Sequence, residues 1–192
     1  MRRFLICFLA LAFITSVAAD IAFCSKPSEI GDKEKTSSDK KKVELVWYKY
    51  DVGMTKAKKE KKHPLVHFYT NWCGWCKRMD RDTFSNKAII EVLNESYVPI
   101  KVNGQSGEKV SLDGKEISER QLTGKYGVRA YPATWFLKPS GERIAPRRGY
   151  VAAEEFLYIL NWVKDDLYEE TSFQEFVKQE QKKQNPKKKE SK

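Results

Sequence analysis

Two cysteines separated by two residues stand between an apolar strand and a helix, and no other feature limits the fold and chemistry of this chain as strongly. The run Leu65 to Tyr69 consists of apolar and β-favouring residues, which predicts a buried strand. Cys73 and Cys76 follow directly, and Lys77 to Phe84 then has a helical composition. The sequence therefore places the cysteine pair at a strand-to-helix junction.

This junction favours thiol chemistry. The free backbone N–H groups at the start of a helix, together with the helix dipole, stabilise a thiolate at Cys73. A thiolate is the species that attacks a disulfide. Cys76 lies one turn further on, close enough to attack the resulting mixed disulfide and release the product. The pair therefore predicts a thiol–disulfide exchange site.

Other uses of the same pair stay open. A zinc site needs further ligands, and the only histidines of the chain are His63 and His67. His67 lies in the strand that leads to the pair, so metal binding is an alternative, as is a purely structural disulfide. Covalent haem attachment requires a histidine directly after the second cysteine, and Lys77 occupies that position.

The N-terminus predicts export. The short positive region Met1–Arg3 precedes the apolar run Phe4–Ile14, and small residues lead to a cleavage site after Ala19. Residues 1–19 therefore have the pattern of a signal peptide. The apolar run is too short for a convincing transmembrane helix. The expected location is the bacterial periplasm. An uncleaved anchor and lipid attachment at Cys24 are alternatives, although Phe23 is bulky for a lipoprotein signal.

The rest of the chain reads as one domain with polar flanks. Residues 20–42 form a linker rich in Lys and Ser, 43–167 form the folded domain, and 168–192 form a helical extension with a basic tail. The formal net charge is +10, but the lysines fall in runs and no nucleic-acid-binding motif is present, so no nucleic-acid partner is predicted. The basic tail is a candidate for contact with a membrane surface. After cleavage three cysteines remain, an odd number that argues against a disulfide-stapled scaffold.

Periodicity and turn signals predict an α/β fold with a mixed central sheet and helices on both faces. Strands and helices follow in the order β-α-β-α-β-α-β-β-α. The predicted segments outside the cysteine region are a strand or ordered lead-in at Glu44–Trp47, helix Asp51–Lys62, helix Lys87–Asn94 capped by Asn86, strand Tyr97–Val102, a hairpin around Asp113-Gly114, a helix from Ser118 to Lys125, strands Thr134–Leu137 and Arg143-Ile144, and helices Ala152–Leu167 and Phe173–Gln179.

Two separated motifs resemble the thioredoxin superfamily. The first is Trp72-Cys73-Gly74-Trp75-Cys76-Lys77 after its strand, and the second is Lys125 to Thr134, which contains Tyr131-Pro132. The likeness covers Val43 to Leu167. The chain is most similar to extracytoplasmic thioredoxin-like proteins with a Trp-Cys-Gly-Trp-Cys site and an insertion before the cis-proline, here Asn103–Glu116.

The resemblance implies a thioredoxin-like fold and a division of roles. Cys73 would be the attacking thiol, Cys76 the resolving thiol and Pro132 the cis-proline. No cofactor is implied. Protein disulfides are the implied substrates, and a reductase outside the cytosol implies a membrane-bound electron-transfer partner. The implied substrate contacts are Trp72, Gly74, Trp75, Tyr131 and Pro132.

The sequence departs from cytoplasmic thioredoxins at three places. Trp75 stands where they carry a proline, and His67 replaces a buried aspartate that assists the resolving thiol. Because the pKa of histidine is ordinarily near neutral, we predict that His67 is a catalytic acid–base residue. The alternative is a core histidine whose hydrogen bonds are satisfied within the fold. The family's buried lysine has no clear counterpart, and Pro99 falls near its place.

Two non-enzymatic functions stay open for this chain: a polypeptide-binding module with a structural disulfide, and a metal chaperone using both cysteines and His67.

Overall fold

The computed structural model describes residues 44–184. The predicted signal peptide, the linker with Cys24 and residues 185–192 of the basic tail lie outside the described residues. The helices are α1 (Tyr50–Glu60), α2 (Gly74–Asp82), α3 (Lys87–Ser96), α4 (Glu119–Lys125), α5 (Ala153–Lys164) and α6 (Phe173–Gln184). The strands are β1 (His63–Tyr69), β2 (Tyr97–Asn103), β3 (Lys109–Leu112), β4 (Lys115–Ser118), β5 (Ala133–Leu137) and β6 (Arg143–Arg148).

Four of these strands form a mixed sheet in the order β2-β1-β5-β6. β1 pairs parallel to β2, with His67 opposite Lys101, and antiparallel to β5, with His67 opposite Thr134. β5 and β6 also pair antiparallel, while β3 and β4 form a separate hairpin. β1 is thus an interior strand, and the loop that carries Cys73 follows directly after its last residue, Tyr69.

Each face of the sheet is covered by its own apolar core. On one face, α1 and α4 pack against β1 and β2 through residues such as Ala57, Leu122 and Val66. On the other, α2, α3 and α5 pack together through residues such as Met79 and Phe156. The predicted α/β class, with a mixed sheet and helices on both faces, is confirmed.

Local sequence signals set several boundaries. The Asn86 side chain accepts a hydrogen bond from Ala88 N at 3.0 Å and caps α3 as predicted. Ser118 and Gln121 form a capping box at the start of α4. Asp113 and Gly114 both have positive φ, 52° and 77°, which suits the two-residue turn between β3 and β4.

Other boundaries differ from the prediction. Of the two alternatives predicted for Glu44–Trp47, the strand is not formed; the segment leads into Tyr48, which forms a single bridge with Ile100. β6 extends to Arg148 through Pro146, which is tolerated because β6 is an edge strand. α5 ends at Lys164, shortly before Asp166 adopts a left-handed conformation with φ of 53°.

α6 lies in the predicted C-terminal extension and is longer than predicted. The Trp162 indole contacts Phe173, with ring centroids 5.7 Å apart, and donates a hydrogen bond to Thr171 O at 3.1 Å. Phe176 of α6 is buried. The extension therefore contacts α5 through aromatic side chains. Within residues 44–184, no helix combines the length and apolar character that crossing a bilayer requires.

We expect Gly53→Ala to destabilise the domain. A Cβ atom at Gly53 would lie 2.6 Å from Cδ1 of the buried Ile100 and 3.3 Å from Cβ of Tyr48. Overpacking of this kind costs about 1–3 kcal/mol. Gly124→Ala is the matched control, because Gly124 also lies in a helix but has nothing within 4 Å of the added Cβ. We expect the control to raise stability by up to about 1 kcal/mol. Urea unfolding measures both, and equal stability of the two variants would contradict the close helix–sheet approach.

Candidate active site

Cys73 and Cys76 form a disulfide at the N-terminus of α2, with Cα atoms 5.3 Å apart. Cys73 is the N-cap residue, and its Sγ accepts a hydrogen bond from Cys76 N at 3.1 Å. The first turn of α2 contains no acidic residue. After reduction, the same N–H group and the positive end of the helix dipole would stabilise negative charge on Cys73.

Two exposed indoles flank this disulfide. Trp72 and Trp75 are 65% and 56% exposed, whereas Cys73 and Cys76 are 4% and 2% exposed. Gly74 is also exposed, and a Cβ atom there would meet nothing within 4 Å. A substrate that reaches the sulfur atoms therefore meets aromatic surface next to them.

The two indoles are held differently. Trp75 packs near Tyr150, and the Arg78 guanidinium lies 5.2 Å from the centroid of each ring. Arg78 also donates a hydrogen bond to Asp82 at 3.2 Å. Trp72 instead contacts the Tyr131 ring edge to face, with centroids 6.2 Å apart.

Tyr131 and Pro132 are joined by a cis peptide bond, as the resemblance implied. Pro132 immediately precedes β5, and the pairing of Phe68 with Ala133 places this bond at the end of the sheet where the cysteine loop begins. The contact between Trp72 and Tyr131 links the cis-proline segment to that loop. Their role in substrate binding stays a prediction.

The segment after β2 forms one wall of the site. Gln105 Oε1 accepts a hydrogen bond from the Trp72 indole N–H at 2.8 Å. Gly104 donates its N–H to Tyr69 O at 2.9 Å, and a Cβ atom on Gly104 would lie only 2.7 Å from Cε1 of Tyr131. The predicted insertion therefore begins in direct contact with the active-site loop.

A buried carboxylate, that of Glu119, binds the backbone at Asn103, where this segment begins. Glu119 is 7% exposed, and its Oε2 accepts a hydrogen bond from Asn103 N at 3.3 Å. Burial raises the pKa of Glu119. Sequence reasoning missed both Gln105 and Glu119, because only the folded chain brings the first to Trp72 and the second to the end of β2.

His67 is completely buried in β1, two residues before the end of the strand. Its ring lies 4.9 Å from the Phe84 ring and 5.9 Å from the Trp47 ring, measured between centroids. Nδ1 lies at hydrogen-bond distance, 3.0 Å, from Thr134 Oγ1, whereas Nε2 has no hydrogen-bond partner among residues 44–184.

Burial, with a smaller contribution from the nearby Lys101 charge, lowers the pKa of His67 to about 3. The sequence-based expectation of a near-neutral pKa was therefore wrong, because it took no account of complete burial. The imidazole is neutral at physiological pH. A catalytic contribution from His67 stays a prediction, and it would come from the neutral ring.

Lys101 is a cation that the sequence analysis did not assign to the site. It pairs across the sheet with His67, and its Nζ lies 2.7 Å from Asp80 Oδ1 on α2. The same Nζ lies 4.8 Å from the Trp47 ring centroid. The sequence analysis found no clear counterpart of the family's lysine and placed Pro99 near its position, whereas the strand pairing brings Lys101 opposite His67. A single lysine within the apolar strand Tyr97–Val102 was the signal that pointed to it.

The described residues offer little to a metal ion. Within residues 44–184, no three His, Cys, Asp or Glu side chains come together as a ligand group. The metal-chaperone alternative, which requires His67 to join the two cysteines, gains no support from this arrangement.

The fold and the site together define a class. A Cys-x-x-Cys disulfide starts the helix after an interior strand, and a cis-proline precedes the antiparallel pair β5–β6, which is the thioredoxin-like arrangement. A family model described as a thioredoxin-like domain matches residues 50–164. Because the match covers more than half of the chain, this protein belongs to the thioredoxin-like domain family.

Curated relatives include protein disulfide-isomerases. The chain is 34% identical over 103 residues to the protein disulfide-isomerase of Oryctolagus cuniculus, covering 54% of this chain and 18% of that protein. It is 30% identical over 101 residues to the protein disulfide-isomerase of Hordeum vulgare, covering 53% and 17%. The chain thus spans less than a fifth of the length of these relatives.

Solved structures agree with the fold. A thioredoxin-fold protein from Helicobacter pylori is 26% identical with a TM-score of 0.53, covering 63% of this chain and 80% of that chain. A putative disulphide-isomerase from Bacteroides thetaiotaomicron is 28% identical with a TM-score of 0.50, covering 67% and 96%.

The hydrogen bond from Trp72 to Gln105 predicts that loss of the Gln105 side chain slows exchange with protein disulfides but not with small disulfides. Gln105→Ala removes the acceptor of the Trp72 indole, and a hydrogen bond of about 1 kcal/mol corresponds to a loss of about fivefold in kcat/KM. We expect this loss for a protein disulfide, mainly through KM, and no loss for a small neutral disulfide. Gln105→Glu keeps an acceptor oxygen and is the matched control. An equal loss for both substrates would contradict a positioning role of Gln105.

Proposed function

We propose that this protein is an exported thiol–disulfide oxidoreductase that reduces or isomerises protein disulfides through Cys73 and Cys76. The observation that carries the proposal is the cysteine pair at the N-terminus of α2, flanked by the exposed Trp72 and Trp75. The names of the curated relatives support the same chemistry.

The proposed reaction starts from the reduced pair. The Cys73 thiolate attacks one sulfur of the substrate disulfide, forms a mixed disulfide and releases the other substrate sulfur as a thiolate. The Cys76 thiolate then attacks Cys73 Sγ, which closes the Cys73–Cys76 disulfide and releases the second substrate thiolate. Two electrons pass from the cysteine pair to the substrate, and the two substrate thiolates take up two protons from solvent or from the cysteine pair.

Isomerisation uses the first step without net electron transfer. A substrate thiolate attacks the mixed disulfide, forms a new substrate disulfide and returns Cys73 as a thiolate. Reduction, in contrast, leaves the protein oxidised, so each turnover needs a dithiol reductant. We propose that this donor is a membrane-bound electron-transfer partner outside the cytosol.

The proposed location rests on the N-terminal sequence. Residues 1–19 have the pattern of an export signal, which directs the domain to the periplasm, either free or held at the membrane through Cys24 or an uncleaved signal. The basic tail of the extension 168–192 is proposed to contact the membrane surface.

Disulfide-exchange assays on the full-length protein test the function. We expect the protein to reduce a small disulfide in the presence of dithiothreitol and to restore activity to an enzyme with scrambled disulfides in a glutathione buffer. If neither reaction exceeds the uncatalysed rate while Cys73 and Cys76 stay bonded, the proposal is wrong and a polypeptide-binding module with a structural disulfide takes its place.

A further inference from the structure

A groove of about 600 Å³ lies beside the cis-proline, between the loop that follows α4 and one face of β5 and β6. Its floor includes Trp135 and Pro146, which pair across the two strands. Ala130 and Ala133 line the end that adjoins Tyr131 and Pro132. The groove therefore opens onto the segment where the proposed function places a polypeptide substrate.

The arginines that have no acidic partner among residues 44–184 lie in or near this groove. Seven arginines lie within residues 44–184. Four of them donate to a carboxylate or a backbone carbonyl. The other three form no ion pair with an acidic side chain in this part of the chain: Arg129, Arg143 and Arg148.

Two of these arginines line the groove, and the third contacts two aromatic residues that line it. Arg129 and Arg148 line it and are exposed. The Arg143 guanidinium lies 4.0 Å from the centroid of the Tyr126 ring and 5.5 Å from that of Trp135. These rings hold Arg143 by cation–π contact and leave its charge without a counter-ion.

The basic end is tied to the cis-proline segment. Arg148 pairs with Ala133 across the sheet, and Gly149 donates its backbone N–H to Pro132 O at 2.8 Å. These contacts hold the backbone of Arg148 next to Pro132. The Arg148 side chain is therefore close enough to contact a polypeptide bound at Pro132, within a few residues of its disulfide.

We propose that this groove binds acidic side chains of the polypeptide whose disulfide is presented to Cys73. The inference deepens the proposed function and rests on it. Arg129 and Arg148 form no ion pair with an acidic side chain among residues 44–184, and the charge of Arg143 has no counter-ion there. These charges complement a carboxylate, and guanidinium groups bind carboxylates through two parallel hydrogen bonds. The substrate class is therefore a polypeptide with Asp or Glu near its disulfide, on the side that lies along β5 and β6.

Two peptides that differ only in charge test the inference. Each carries one cysteine joined to 2-mercaptoethanol, and two Glu residues near the cysteine in the first peptide are Gln in the second. The rate constant for oxidation of the reduced full-length protein is measured with each peptide at low ionic strength. We expect the Glu peptide to react about tenfold faster, and this preference to shrink as salt is added.

Substitutions test whether the groove arginines cause the preference for the Glu peptide. The double variant Arg129→Gln/Arg148→Gln is expected to lose this preference while reacting normally with 2-hydroxyethyl disulfide. The control double variant Lys109→Gln/Lys115→Gln removes two exposed charges from the β3–β4 hairpin and is expected to keep it. Equal rates for the two peptides in the wild type, or equal loss in both double variants, would overturn the inference. Failure of every disulfide to react would instead overturn the proposed function.

Discussion

Cys73→Ser abolishes catalysed thiol–disulfide exchange, with an expected loss of more than about 10³-fold in turnover of a small disulfide. The reason is that serine provides no thiolate at the start of α2, where Cys73 is the N-cap residue. Cys76→Ser has a different expected result. Cys73 still attacks, but no thiol resolves the mixed disulfide, so the protein accumulates as a covalent adduct with its substrate.

Mass spectrometry of the two variants distinguishes these roles. Cys24→Ser is the matched control, because it is the same substitution at the third cysteine of the predicted mature chain, and we expect it to retain turnover. Accumulation of a covalent adduct on Cys76 in the Cys73→Ser variant, with no adduct on Cys73 in the Cys76→Ser variant, would reverse the proposed roles of attacking and resolving thiol.

Acidification weakens the folded state through His67. The pKa of His67 is lowered to about 3 in the folded protein, chiefly by burial, and is about 6.5 in an unfolded chain. Between these values the unfolded state binds one more proton at this position than the folded state. The stabilising contribution is therefore complete above about pH 6.5 and is lost as the pH falls, by up to about 1.4 kcal/mol per pH unit.

The comparison of wild type with His67→Gln isolates this contribution. Urea unfolding from pH 7 to pH 4 should show a free energy of unfolding that falls more steeply in the wild type, by a difference approaching about 3 kcal/mol at pH 4. The neighbouring ion pair of Lys101 and Asp80 is present in both proteins, so its effect cancels in the difference. Parallel curves, or an NMR titration of His67 with a midpoint near 6.5, would contradict the buried neutral imidazole.

The local sequence determined much of the fold. The apolar run of β1, the cap at Asn86 and the Asp113-Gly114 turn act through short-range interactions, and each is present where predicted. The cis bond before Pro132 was accessible only through the resemblance, because an X–Pro sequence alone favours trans.

The environment of the site was less predictable, because it depends on residues that are distant in the chain. Lys101 is adjacent to His67 only through strand pairing, and Gln105 reaches Trp72 only through the packing of the loop after β2. The pKa of His67 could not be predicted from the sequence for the same reason. Its sequence position suggested an ordinary histidine, whereas enclosure by Trp47 and Phe84 determines its charge.

The equilibrium of the Cys73–Cys76 pair with glutathione tests the central claim most directly. The full-length protein is equilibrated with mixtures of reduced and oxidised glutathione, and the two thiols are counted after alkylation. We predict one reversible two-electron transition, with a reduction potential between about −270 mV, typical of thioredoxin, and about −180 mV, typical of a disulfide isomerase. A value near −120 mV would contradict a reducing or isomerising role, and a pair that does not exchange at all would contradict the proposed enzyme itself.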